Sequence, residues 1–142
     1  MQKVSTVRNE GNRIFQQPQL TIGLDLGDRA SSYCVLDENG EILREQKVAT
    51  TPEGMRQVFE KMVRCRIAME TGTHSPWVSR LLMALGQEVI VAHAQKVRWI
   101  VKRRRKDDRL DARTLARLAR IDPEMLSPVQ HRSAAAQRYG FT

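Results

Sequence analysis

Apolar residues alternate with polar or small ones over Leu20-Thr21-Ile22-Gly23-Leu24-Asp25-Leu26, a period of two that predicts a strand. Ile22, Leu24 and Leu26 share one face, Thr21, Gly23 and Asp25 the other, and Asp25 projects from the strand's end. Ser31 to Asp37 and Glu41 to Val48 read as two more strands around Asp37-Glu38-Asn39-Gly40, whose Asn-Gly pair favours a hairpin turn and so an antiparallel meander. The period then lengthens. Thr51-Pro52-Glu53 starts a helix, with Thr51 as cap, Pro52 at the first helical position and Met55, Val58, Phe59, Met62 and Val63 as its apolar stripe. Arg66 to Glu70 predicts a short buried strand whose terminal acid emerges at the sheet's end. Thr71 to His74 makes a turn, in which His74 takes a turn or cap role. Ser75-Pro76 caps a helix with Trp77, Val78, Leu81, Leu82 and Leu85 on its core face and a stop at Gly86. Glu88 to Ala92 is a fifth strand, and a short helix is expected from Ala94 to Val101. The spacing from Lys106 to about Arg120 predicts a last helix, which Asp122-Pro123 ends. On it Asp108, Asp111, Ala112, Leu115, Leu118 and Ala119 fall on one stripe.

The order β-β-β-α-β-α-β-α predicts an α/β fold, a mixed five-stranded sheet flanked by helices with ribonuclease H-like topology. The chain's 142 residues suit one domain with a substantial core. Residues 1–18 lack periodicity and read as a flexible leader, residues 19–121 as the folded domain, and the polar stretch 122–142 as the start of a linker to a missing C-terminal domain. The lack of a closing element at Gly140-Phe141-Thr142 suggests a truncated chain. No run of about 18 apolar residues and no secretory signal is present, so a cytoplasmic protein with no membrane partner is expected. Cys34 and Cys65 lie in apolar segments without metal-ligand spacing, which predicts buried free thiols.

Charge changes this picture when it is divided along the chain. Residues 1–95 carry 11 Lys and Arg against 11 Asp and Glu, whereas residues 96–142 carry 13 against 5, so the formal net charge of +8 lies wholly in the last third. That balance points to a polyanionic partner. Lys102-Arg103-Arg104-Arg105-Lys106 leads straight into the acids of the last helix, and nucleic acid held beside a metal site explains both features. Arg98, Arg109 and the basic run are candidate phosphate contacts. Trp99, between Arg98 and that run, is the better candidate for stacking on a base, whereas Trp77 belongs to an apolar stripe.

Four acids have comparable placement: Asp25 and Glu70 at strand ends, and Asp108 and Asp111 on the last helix. First and fourth strands that lie side by side would bring Asp25 and Glu70 together. Helix-start chemistry accounts for Asp107 or Asp108 as a cap, but an unpaired Asp111 on a buried stripe is costly. A hard cation offsets that cost, and magnesium, with manganese as a substitute, prefers oxygen ligands while retaining water and substrate phosphate. Two such ions about 4 Å apart suit phosphodiester cleavage or strand transfer.

These same residues carry a family resemblance. Ile22-Gly23-Leu24-Asp25, Ala68-Met69-Glu70-Thr71-Gly72, the Asp-x-x-Asp-Ala-Arg within Lys106 to Ala116, and Leu126 to Ser133 resemble the DEDD transposases of bacterial insertion sequences, the family that includes the Piv invertases. The likeness spans about residues 20–138. It implies a RuvC-like catalytic domain binding magnesium through Asp25, Glu70, Asp108 and Asp111, with DNA as substrate, a structured guide-like RNA as partner, and a homo-oligomer for the full-length protein. It also implies a C-terminal domain bearing a nucleophilic serine, to which neither Ser127 nor Ser133 corresponds. Two alternatives stay open: a small RuvC-related Holliday-junction nuclease, and a non-catalytic nucleic-acid-binding fragment of a transposase. A sugar-kinase or actin-type ATPase, suggested by Gly23-Leu24-Asp25-Leu26-Gly27, lacks a second Gly-rich phosphate loop here.

Overall fold

The computed structural model describes residues 19–93, 95–96 and 110–131. Strand β1 (Thr21–Asp25) pairs antiparallel with β2 (Ala30–Leu36), and β2 pairs antiparallel with β3 (Ile42–Ala49). The predicted hairpin turn joins the last two. Asp37 Oδ1 accepts from the backbone N–H groups of Asn39 and Glu41 at 2.8 and 2.9 Å, and Gly40 takes φ +84°, a conformation that glycine enters without steric cost.

Helix α1 (Pro52–Phe59) starts where the sequence predicts, with Thr51 Oγ1 accepting from Gly54 N at 3.0 Å. It ends sooner than its stripe suggests. The buried Gln87 side chain donates to Phe59 O at 3.2 Å and accepts from Cys65 N at 2.6 Å, which draws the chain off the helical path. Val63, expected on the stripe, is consequently 68% exposed. Strand β4 (Arg66–Glu70) then lies parallel to β1, helix α2 (Ser75–Ala84) follows, and β5 (Glu88–Ala92) lies parallel to β4. The cap of α2 is His74 rather than Ser75, which is already helical. Gly86, at φ +94°, turns the chain back into β5.

Of the helix expected over residues 94–101, Gln95 and Lys96 are helical and the remainder falls outside the described residues. Helix α3 (Ala112–Ile121) leads into a 3₁₀ turn (Pro123–Leu126) and a two-residue strand, β6 (Pro128–Val129), antiparallel to β5. The sheet among the described residues therefore has six strands, in the order β3-β2-β1-β4-β5-β6, not five. A strand of two residues beginning at proline has no periodicity to betray it, and Pro128, with no N–H, suits a sheet edge.

Two layers cover the sheet. On one face Ile22, Leu24, Ile67 and Met69 pack with Met55 and Phe59 of α1 and Val78 and Leu82 of α2, and the Tyr33 ring meets Phe59 edge-on at 5.5 Å. On the other face, among the described residues, α3 is the only helix longer than one turn. Its Leu115 and Ala119 pack with Ala68, Ile90 and Ala92 of the sheet and with Leu110 and Leu126, and its Ala112 and Ala116 pack with Cys34 and Leu36. Cys34 and Cys65 are buried free thiols, as expected, and burial pushes the Cys65 thiol up to about 11. No described helix is long and apolar enough to cross a membrane. The α/β arrangement, with an antiparallel β1-β2-β3 meander extended by parallel β4 and β5, is ribonuclease H-like.

Candidate functional site: carboxylates at the ends of two parallel strands

Alternation puts Thr21, Gly23 and Asp25 of β1 on the face that α3 covers, and does the same for Arg66, Ala68 and Glu70 of β4. The parallel register pairs Gly23 with Ala68 and Leu24 with Met69. Asp25 and Glu70 are each the next residue along, so these two half-buried residues end neighbouring strands at the same end of the sheet; the β1–β4 pairing is the one the sequence predicts.

Gly23 determines how close α3 comes to them. A Cβ there would collide with Ala112 O and lie 2.6 Å from Ala116 N, so the helix backbone rests directly on β1. Ala112, Ala116 and Ala119 keep the contacting helix face equally small. Leu110, fully buried just before α3, anchors the approach to the helix, and its N–H donates to Glu70 Oε1 at 3.3 Å. The start of α3 is thus tied to the end of β4 as well as laid on β1.

Asp111 does not occupy a buried helical stripe. Leu110 and Asp111 are both non-helical, and Asp111 is the exposed N-cap of α3, with Oδ1 accepting from Thr114 N at 2.8 Å. The penalty of a buried carboxylate, which the sequence pattern suggests for this residue, therefore does not arise: an acid three positions before Thr114 is the geometry of a cap. Asp111→Ala is expected to lower stability by about 1 kcal/mol and Asp111→Asn by far less, because asparagine caps equally well. Urea unfolding of the two variants checks this, and equal losses from both would show that capping is not what the residue contributes.

Asp25 and Asp111 line one cavity of about 410 Å³, and its other wall carries Ser32, Glu45, Lys47 and Arg113. Glu45 and Arg113 form a two-pronged ion pair at 2.9 and 2.8 Å between β3 and the first turn of α3. The Arg113 hydrogen bonds hold the Glu45 carboxyl below its usual range, and Glu45 in turn holds Arg113 more firmly protonated. Burial, followed by the nearby Glu45 charge, raises the Cys34 thiol. Sequence reasoning does not find this wall. Its signal is that Glu45 and Lys47 alternate on one face of a strand, which acquires meaning only once α3 is known to lie beside β3.

Among the described residues no three His, Cys, Asp or Glu side chains are grouped closely enough to hold a metal ion. What does fit a hard cation is the donor chemistry: two carboxylates at the ends of neighbouring strands, and a third, Asp111, on the cavity that Asp25 lines. Asp108, the fourth predicted ligand, lies outside the described residues, as do Arg98, Trp99, Lys102, Arg103, Arg104, Arg105, Lys106 and Arg109. His74 stays apart from this cluster. Its Nδ1 accepts from Trp77 Nε1 at 3.0 Å, its Nε2 lies 3.3 Å from Asp28 Oδ1, and it fills the cap position that the sequence allows it. Behind Glu70, Ser75 Oγ accepts from Gly72 N at 3.0 Å and bonds His131 Nε2 at 2.9 Å, fastening the segment after β6 to the loop after β4.

No curated protein matches the chain. A family profile does: that of the IS110-type DEDD transposases, described as a transposase, matches residues 22–138, a span that takes in Asp25, Glu70, Asp108 and Asp111. With most of its length matched, and with the fold that its motifs imply, the chain belongs to the IS110-type DEDD transposase family.

Proposed function

We propose that this chain provides the carboxylate centre of a DNA transposase that cuts and transfers DNA strands with magnesium, and that Asp25, Glu70, Asp108 and Asp111 hold the metal. The observation that carries this reading is that Asp25 and Glu70 each follow directly on the last paired residues of two parallel strands, Leu24 and Met69, and that Asp25 lines a cavity with Asp111. Held by these acids, magnesium, or manganese in its place, would supply charge neutralisation at the scissile phosphate and activation of an attacking oxygen. The chain's own residues do the positioning. Glu70 holds Leu110 N and so sets where the chain enters α3, and Gly23 lets the Asp111 end of the helix sit against β1. Asp111 Oδ1 stays on Thr114 N while the residue lines the cavity beside Asp25.

Arg98, Trp99, Lys102 to Lys106 and Arg109 are the proposed nucleic-acid contacts, in keeping with the basic last third of the chain. A structured guide-like RNA and a homo-oligomeric full-length protein, which rest on the family resemblance, complete the proposal together with a cytoplasmic location.

Calorimetric titration of magnesium and manganese into the parent and into Asp108→Asn tests the centre. Saturable binding in the parent, weakened at least about 10-fold by the substitution, is the expected result. A parent that binds neither ion overturns the metal-dependent reading and leaves a nucleic-acid-binding module.

A further inference from the structure

The outer face of α3 presents Arg113, Arg117 and Arg120 at steps of four and three residues, all exposed. Arg113 and Arg117 are one turn apart, about 6 Å along the axis. Lys47 joins them from β3: it lines the same cavity as Arg113, on the strand face it shares with Glu45. Arg117 lies near enough to Glu45 and Cys34 for its charge to favour their ionised forms, which places it on the flank of α3 that faces β3. The two ends of this row differ. At the far end Arg120 Nη1 donates to Glu38 O at 3.2 Å, in the acid-bearing hairpin. At the near end Glu45 fixes the Arg113 guanidinium, with Lys47 on the same strand face as Glu45 and Arg117 one helical turn beyond Arg113.

We infer that Lys47, Arg113 and Arg117 form a track for the sugar-phosphate backbone of DNA, leading to the Asp25 end of the cavity. The inference rests on the proposed reading of the chain as a DNA-acting transposase and adds the path by which one strand reaches the carboxylates. Exposed cations spaced within about a Debye length reinforce one another's field. A guanidinium held in place by a carboxylate presents its remaining N–H donors without losing side-chain freedom on binding. Glu45 therefore orients Arg113 as part of the track, and Lys47 and Arg117 contribute point contacts to phosphate. Such contacts give affinity and salt dependence and carry no base readout.

The test uses the full chain and a fluorescent DNA duplex, with anisotropy followed between about 50 and 200 mM salt. K47A/R117A changes two exposed residues, and circular dichroism and thermal unfolding confirm that the variant folds as the parent does. Its affinity should fall roughly 10-fold or more near 0.1 M salt, and the slope of log affinity against log salt should become shallower by about 1.8 for two lost phosphate contacts. The result that overturns the track is K47A/R117A matching the parent in affinity and slope while R103A/R104A/R105A loses both, which leaves the DNA-binding reading intact. A change seen only with a structured RNA, and absent with the duplex, overturns DNA as the occupant. A parent that binds no duplex at any salt overturns both the track and the reading beneath it.

Discussion

Gly23→Val is expected to destabilise the protein by about 3 kcal/mol and to lower its melting temperature by about 10 °C. The reason is that the new side chain would meet main chain. Its Cβ collides with Ala112 O and crowds Ala116 N, and neither is the end of a flexible side chain that can swing away. Either α3 lifts from β1 or the strand shifts and carries Asp25 with it. Lifting the helix also exposes Leu115 and loosens Leu110 and Leu126, which pack with it. Gly72→Ala is the control, since a Cβ there meets nothing within 4 Å and should move the melting temperature by no more than about 2 °C. Thermal unfolding of the two variants decides the matter. A Gly23→Val protein that melts with the parent would mean that α3 does not rest on β1 as closely as described.

Asp25→Asn and Glu70→Gln are each expected to reduce magnesium-dependent DNA scission by at least about 1000-fold, equivalent to about 4 kcal/mol of lost transition-state stabilisation. Both substitutions preserve volume, and glutamine retains an oxygen that can accept from Leu110 N, so melting should change little. Gel-based scission assays beside melting curves separate loss of chemistry from loss of fold. Scission at the parent's rate in either amide variant would remove that carboxylate from the proposed centre. Glu70→Ala should differ from Glu70→Gln in also costing stability, because it removes the acceptor that ties the approach to α3 to β4.

The sheet was largely legible because its signals are local. The alternation around Ile22, the Asn39-Gly40 turn, the Thr51-Pro52 start and the acid closing β4 each concern residues within a few positions of one another. The adjacency of Asp25 and Glu70 needed one further step, the pairing of β1 with β4, and the resemblance supplied the rest of the argument. The start of α3 was misread for a definite reason: spacing by three is the same whether Asp111 lies inside a helix or caps one at Thr114. The six-strand count was hidden by the brevity of Pro128–Val129. The wall formed by Glu45, Lys47 and Arg113 arises because α3 lies beside the outermost strand, a relation between distant segments that no window of sequence contains.

The contacts that hold α3 also set an order of events as the protein is made. Arg66 bonds Ala119 O across 53 residues, Arg113 meets Glu45 across 68, and Arg120 reaches Glu38 across 82. A ribosome adds about 5–20 residues per second, so the sheet face bearing Gly23 and Cys34 waits roughly 4–16 s for its cover, far longer than a hairpin takes to form. Cys34, Gly23 and Ala68 along its middle row leave Leu36 and Ile90 as the larger apolar side chains there, a narrow surface for a nascent chain or a chaperone to grip. The residues that admit a close helix in the finished protein therefore also make the unfinished one less adhesive.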